Sequence, residues 1–455
     1  MTRWQTLGWI ALWLAGCDSP LRQGTPDGSD VVGNDLVEIV DVPDPVELDV
    51  PGWPPRENCL PTPTHGLPVG VHDFFFSVPY TTQGVLLSLT EDDGLLMDRG
   101  KYCDFIQGVN VWQQEISRYD LNLRSEEELV AYPSSQSHPN EYDGRIFYAS
   151  LYAPFQPDID FNSTLQNHPW KGKPNIWVWE AGQTREYTTW CPRDAGCTFP
   201  MISKNGKMVY QQYFLTLDPY FYENTLVYHD LNTLETREFW TFHDSPLTIA
   251  VGDRAIFWTY APCGNFRYYD IERDEVVTNE NFNVFAAIAW RKYIAWGNCF
   301  PYQMMVLNLE TGELRRIDQE LDLDPDNHTY AIHTAYEHLV AAVDKRREIA
   351  NPGVESHLWL YDLDTRVERR ITSESAKWTW GSHRILNCRW AILTLDYGKA
   401  STTIFHYPKA ALNLVEAGIV DEDCHLIPGP PLEFTLEDFL LATGFSLEGY
   451  DPNPN

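Results

Sequence analysis

The chain has 455 residues, enough for one large or two ordinary domains, and its 17 Trp, 24 Tyr and 21 Phe supply a substantial core. A formal charge of −32 excludes the basic face that nucleic-acid binding requires. Eight cysteines follow Cys17, an even number suited to disulfides in an exported chain, and no CxxC or closely spaced His pair marks a metal site.

In chain order, Arg3 gives a positive start, Leu7 to Leu14 form a short apolar run, and Ala15-Gly16-Cys17 follows. These are the parts of a secretory signal, and the run is too short for a bilayer, which needs roughly 20 apolar residues. Leu14-Ala15-Gly16-Cys17 resembles the lipobox of bacterial lipoproteins. The resemblance implies removal of residues 1–16 and acylation, palmitate included, of Cys17. Each buried CH₂ of such chains contributes about 0.8 kcal/mol, so several together hold a protein on a membrane. Asp18 resembles an inner-membrane retention signal of enteric bacteria, and the choice of membrane stays open. Residues 17–58 then read as a tether. From residue 18 this segment holds ten Asp or Glu against Arg22 and Arg56, stiffened by Pro26, Pro43, Pro45, Pro51, Pro54 and Pro55.

From about residue 110 a two-part phrase recurs. One part is an apolar strand entering a turn: Arg118-Tyr119-Asp120-Leu121, Trp177 to Glu180, Tyr228 to Leu231, Tyr268 to Ile271, Val306 to Leu309, Leu360 to Leu363 and, faintly, Ile404 to Tyr407. The other is a turn before a β-rich run, as in Asp143-Gly144-Arg145-Ile146-Phe147-Tyr148 and Asn205-Gly206-Lys207-Met208-Val209-Tyr210. Asp-Gly and Asn-Gly accept positive φ and suit tight hairpins. A spacing of about 40 to 60 residues matches a four-stranded propeller blade. The expected fold is an all-β propeller over 59–409, with seven blades or alternatively six, and a tail over 410–455. In that tail Thr435 caps a short helix. The phrases "LWLYDLDTRVERRIT" and "DGRIFYASLY" resemble TolB-type and YWTD-type repeats. Such propellers serve as scaffolds in envelope complexes, so the resemblance implies a scaffold role. The Asp of the Tyr-Asp-Leu phrase reads as a turn cap.

If each blade runs through strands A to D, the long connections fall between B and C or between D and A, on one face. These are Ala153 to Pro174, Leu215 to Asn224, Lys345 to His357, Trp190 to Thr198 and Asp318 to His328. Loops gathered on one rigid face are where binding sits. Candidate ligand residues there are His138, His168, Trp170, Asp322, Asp324, Asp326 and His328. The alternating acids 322, 324 and 326 start like a calcium loop, but Asn327 and His333 stand where Gly and Glu belong, so no cofactor is assigned and calcium is the alternative. Cys191–Cys197, Cys263–Cys299, Cys388–Cys424 and Cys59–Cys103 are the preferred disulfides among 105 pairings. No GxSxG, HExxH or phosphate loop occurs, and no catalytic residue is assigned. The expected role is a membrane-anchored, non-catalytic module of the cell envelope that binds a protein or glycan. The alternative is a propeller enzyme, a lyase or glycoside hydrolase, working in the central funnel. Cys17→Ala is expected to move the protein from the membrane to the soluble fraction and abolish lipid labelling; continued labelling contradicts the anchor.

Overall fold

The computed structural model describes residues 60–61, 70–78, 87–106, 109–130, 136–151, 174–192, 195–215, 222–242, 248–259, 263–299, 302–321, 328–347, 354–372, 384–385, 387–394, 397–398, 405–406, 409–433 and 435–444. They belong to the compact unit Pro45–Asn455. The signal segment, the tether and Cys17 lie outside the described residues.

Alternating side chains and tight turns make nearly every described segment an antiparallel strand. Sheet I holds Leu87–Leu89, Gly94–Ile106, Val109–Asp120 and Ser125–Val130, with Leu60–Pro61 added beside Gly94–Ile106. Sheet II holds Gln136–Tyr142, Arg145–Leu151, Pro174–Glu180 and Gln183–Glu186. Sheet III holds Ala195–Ile202, Lys207–Leu215, Tyr222–Asp230 and Thr236–Phe242. Sheet IV is seven-stranded: Thr248–Val251, Ala255–Thr259, Gly264–Asp270, Glu275–Trp290, Tyr293–Cys299, Tyr302–Asn308 and Leu314–Arg316. Sheet V holds His328–Tyr336, Leu339–Arg347, Val354–Asp362 and Glu368–Arg370. Sheet VI joins the two ends of the fold, in the order Arg384–Ile385, Trp390–Thr394, Lys409–Asn413, Phe75–Val78 and Gly70–His72.

The sheets pack in a closed cycle. Phe76, Val78, Trp390 and Ile392 of sheet VI meet Leu95, Met97 and Tyr119 of sheet I. Leu96, Ile116 and Val130 then meet Ile146 and Tyr148 of sheet II. Phe147 and Val178 meet Met208 and Tyr210 of sheet III, and Leu226 and Tyr228 meet Ile256 and Trp258 of sheet IV. Sheet IV folds back on itself, with Phe257 and Phe266 against Trp296 and Met305. Ala295 and Val306 reach Ile332 and Val340 of sheet V, and Leu339 and Leu360 reach Leu393 and Leu412 of sheet VI. The first strands of sheets II and III touch, as do those of III and IV and those of V and VI. This is a β-propeller, whose first strands surround the axis and whose closure leaves no free sheet edge at the join.

Four-stranded antiparallel sheets recur as expected, but the expected blade number, seven or alternatively six, is corrected to five. Five sheets are built of strands consecutive in the chain, and the sixth joins the ends. Glu275–Trp290 is one 16-residue strand that pairs with Gly264–Asp270 at its start and with Tyr293–Cys299 at its end, so two phrases share one sheet. The faint phrase at Ile404 to Tyr407 falls outside the blade sheets: among the described residues, Phe405–His406 pairs only with Tyr397–Gly398. The strand it stood for is Lys409–Asn413, so the propeller does not end at residue 409.

The turns follow the expected chemistry. Asp143 and Gly144 have φ of 54° and 69°, and Gly206 has φ of 75°. Asp120 Oδ1 accepts from the amides of Asn122 and Leu123 at 2.8 and 2.7 Å, and Asp270 and Asn308 cap their turns likewise. Two expected insertions shrink, because strands run to Leu215 and Arg347 and resume at Tyr222 and Val354. Cys191–Cys197, Cys263–Cys299 and Cys388–Cys424 are disulfides. Cys59 and the side chain of Cys103 lie outside the described residues. In the tail, Thr435 caps the helix Leu436–Thr443 through a reciprocal hydrogen-bond pair with Asp438, and Phe439 packs on Phe75 with ring centroids 6.2 Å apart.

Candidate functional site

The two ends of the sheets differ in chemistry. At the turn end, each second strand opens with an apolar run, because those side chains fill the inter-sheet spaces. Toward the loop end the run breaks to a buried polar residue in nearly every sheet. Leu95-Leu96-Met97 leads to Asp98, Ile146 to Ala149 leads to Ser150, and Met208-Val209-Tyr210 leads to Gln211 and Gln212. Ala255 to Trp258 leads to Thr259, Trp296 precedes Gly297 and Asn298, and Trp390 to Leu393 leads to Thr394. A polar group taken from water costs free energy unless its hydrogen bonds are replaced, so a layer of them is not cheap packing.

The ionisable members of this layer flank sheet I. Glu115 is 2% exposed, Asp98 6% and Lys409 4%. Register assigns their faces. Lys409 pairs with Val78 and Thr394, and Ser117 pairs with Met97. Glu115 lies two residues before Ser117 on the same strand, so Glu115, Ser117, Thr394 and Lys409 enter the interface between sheets VI and I. Asp98 pairs with Ile116, and Gln136 pairs with Ser150. These three polar side chains, Asp98, Gln136 and Ser150, therefore enter the other interface, between sheets I and II. Among the described residues Ser117 Oγ is buried with no hydrogen-bonding partner.

Bulges shape the same end of the inner strands. They interrupt Gln136–Tyr142 between Ser137 and Asn140, Ala195–Ile202 between Thr198 and Met201, and His328–Tyr336 between Ile332 and Thr334. Bulges re-aim side chains and gather near active sites. His138 and Phe199 occupy equivalent bulges with φ of 58° and 53°, and their rings meet edge to face at 4.5 Å. Asn140 fastens the two bulges together, donating to the carbonyls of His138 at 3.0 Å and Pro200 at 2.8 Å. Burial pushes the His138 imidazole down to about 4, and His229 behaves likewise.

Of the ligand-face candidates, the structure places His138 at this end. His168, Trp170, Asp322, Asp324 and Asp326 lie outside the described residues. His328 begins the first strand of sheet V, with its side chain not described. Asp98, Glu115 and Lys409 were missed, although the switch from apolar run to polar residue is readable in each second strand.

At the opposite, turn end three side chains from distant parts of the chain come together: His338, Asp362 and His425, with one ligand atom of each within 4.8 Å of the others. Asp362 is the turn cap of its phrase, and its Oδ1 accepts from the amides of Asp364 and Thr365 at 2.9 and 3.1 Å. Its Oδ2 receives Leu426 N at 3.1 Å and faces His425 Nδ1 at 3.2 Å. Burial raises the Asp362 pKa, but the backbone donors Thr365 and Leu426 outweigh it and hold the carboxyl below its ordinary value. These three residues offer a donor set for a metal ion.

No protein-family model matches the sequence, and no curated protein matches it. Solved structures do. The acylaminoacyl peptidase of Pyrococcus horikoshii aligns over 73% of this chain and 53% of its own, at 12% identity and a TM-score of 0.45. The β-propeller domain of the Trilobed protease from Pyrococcus furiosus aligns over 58% of this chain and 78% of its own, at 14% identity and a TM-score of 0.40. An oligogalacturonate lyase in complex with manganese aligns over 80% of this chain and 98% of its own, at 11% identity and a TM-score of 0.42. The chain spans about half the length of the peptidase.

The His138 geometry predicts an acid response. Its depressed folded pKa means that the unfolded chain binds the extra proton between about pH 6.5 and 4. Its contribution is complete above pH 6.5 and is lost as pH falls toward 4. In denaturant titrations across that range, His138→Gln is expected to lose stability less steeply than the parent; an unchanged slope contradicts the assignment.

Proposed function

We propose that this chain is a membrane-tethered propeller enzyme whose site is the buried polar layer at the loop end of sheet I, rather than a passive scaffold. The observation that carries this reading is the burial of Glu115 and Asp98 in sheet I and of Lys409 in the adjoining sheet VI, all at the loop end. A scaffold needs complementary surface, and its interior does best when apolar. Buried ionisable side chains concentrate where proton transfer is done.

The reaction class follows from the faces of the two acids. Glycoside hydrolysis needs two carboxyl groups about 5 to 9.5 Å apart on either side of one bond. Asp98 and Glu115 leave sheet I on opposite faces, so this pair does not suit that arrangement. Elimination needs one base to remove a proton activated by a neighbouring carboxylate or carbonyl and a cation to steady the developing charge, while the C–O bond to the leaving oxygen breaks and that oxygen takes a proton from the protonated base or from water. Glu115 and Lys409, entering the same interface, supply those two roles. A polar polymer bearing carboxylates, such as a uronate-containing glycan, suits a lyase of this kind, with His138 and Phe199 as contacts at the inner strands. The lipid on Cys17 and the acidic tether fit work at the cell envelope, against glycan or protein there.

The test is turnover. Purified chain is incubated with uronate-containing polysaccharides, and the new carbon–carbon double bond is followed by ultraviolet absorbance. Glu115→Gln and Lys409→Met are each expected to lower turnover by roughly a hundredfold or more, the scale of general acid–base catalysis, with melting temperatures close to the parent's. Full turnover in both variants contradicts the reading. So does the absence of any turnover together with a crosslinked envelope protein seated on the loop end, which returns the scaffold role.

A further inference from the structure

The cluster at the turn end is unrelated to the proposed elimination site, and its residues come from three separate elements. His338 lies in the turn between the first two strands of sheet V, Asp362 ends the third strand, and His425 belongs to the tail beyond the propeller. The tail is held there covalently by Cys388–Cys424, whose second sulfur belongs to the residue before His425. Arg369 fastens the same stretch by donating to the carbonyls of Gly418 at 2.6 Å, Ile427 at 3.0 Å and Pro430 at 3.3 Å. The phrase repeat explains Asp362 as a turn cap, but not the two imidazoles beside it. Asp120, Asp270 and Asn308 cap equivalent turns by the same hydrogen bonds.

We infer that His338, Asp362 and His425 bind a zinc-type divalent ion that clamps the tail to sheet V. A tetrahedral ion with bonds of about 2.1 Å holds its ligand atoms about 3.4 Å apart. Asp362 Oδ2 lies 3.2 Å from His425 Nδ1 and 3.7 Å from His338 Nε2, values on either side of that spacing. The Cys424 carbonyl oxygen, 2.9 Å from His338 Nε2, is a candidate fourth donor. Behind the cluster, Asp364 Oδ2 lies 3.8 Å from His338 Nδ1. A carboxylate that closes to hydrogen-bond distance on the far nitrogen fixes a ligating imidazole in the tautomer that presents its other nitrogen to the metal, and Asp364 lies on that side. In the metal-free form His338 Nε2–H donates to Cys424 O. In the metal-bound form His338 carries its proton on Nδ1, on the side of Asp364, and His425 carries its proton on Nε2. Asp362, held ionised by its backbone donors, supplies the single negative charge. Two imidazoles and one carboxylate favour zinc or a neighbouring transition ion over calcium, which prefers an all-oxygen set. The rings of His338 and His425 stack with centroids 4.4 Å apart, which keeps the two imidazoles side by side.

The experiment uses the purified full chain with its disulfides intact, stripped with chelator and titrated with zinc chloride by calorimetry. Cobalt(II) absorption then serves as a geometry probe. One zinc per chain is expected, with tetrahedral cobalt bands and a rise in melting temperature that chelator reverses. His425→Gln and His338→Gln should each weaken binding at least tenfold while their metal-free melting temperatures stay close to the parent's. Glu422→Gln, on the exposed acidic part of the tail, should bind zinc as the parent does. No saturable binding overturns the inference, as does parental affinity in His425→Gln. An equal loss in Glu422→Gln also overturns it, because the ion would then be held by tail charge alone.

Discussion

The pairing of Phe75–Val78 with Lys409–Asn413 is the contact on which the rest of the molecule depends. It brings residues more than three hundred positions apart into one ladder and closes the cycle of sheets. Without it, sheets I and VI would each present an apolar face to water. The entropy of fixing so long a loop is met by burial on both sides of the closing strand. Phe75 enters the cluster shared with sheet V and the tail, while Phe76 and Val78 enter the cluster shared with sheet I. The same register also places Lys409 opposite Val78, at the edge of the layer where the core turns polar.

That closure separates two ends with different duties. The turn end is regular, because short hairpins capped by Asp or Asn recur from sheet to sheet, and the tail fastens onto it through a disulfide, Arg369 and the His338 cluster. The loop end is where strands bulge, where polar side chains replace apolar ones, and where the longest connections leave the sheets. A stable scaffold pays for rigidity at one end and spends it at the other, since groups held at fixed positions by a closed ring need no reorganisation when a ligand arrives. The ionisable residues gather around sheet I, whose central hairpin, Gly94–Ile106 with Val109–Asp120, is built of 13- and 12-residue strands.

Much of this was legible in the amino-acid sequence, and the reasons for the remainder are physical. The Tyr-Asp-Leu and Asp-Gly phrases mark strands and turns because turn chemistry is local, so Asp120, Asp270 and Gly144 behave as their types require. Three disulfides follow from the places of their cysteines in the repeat. Periodicity does not distinguish one continuous strand from two short ones, so Glu275–Trp290 merges two phrases that looked separate. The weak phrase at residue 404 drew attention from Lys409–Asn413, whose small residues carry no turn signal. His425 belongs to no motif, and its approach to His338 and to the turn cap Asp362 exists only once the tail has docked. Glu115 and Lys409 share an interface only because the ring closes.

The most direct test of whether that polar layer is a site or a structural keystone is the unfolding free energy of Glu115→Leu combined with Lys409→Met. Groups retained for chemistry are replaceable by apolar side chains of similar size at no loss of stability, and the gain can reach about 1–4 kcal/mol. The double variant is expected to match or exceed the parent in denaturant unfolding. A fall of more than about 3 kcal/mol, the scale seen when a needed buried partner is removed, would show that these residues hold the fold together, and the account of the loop end as a site would be wrong.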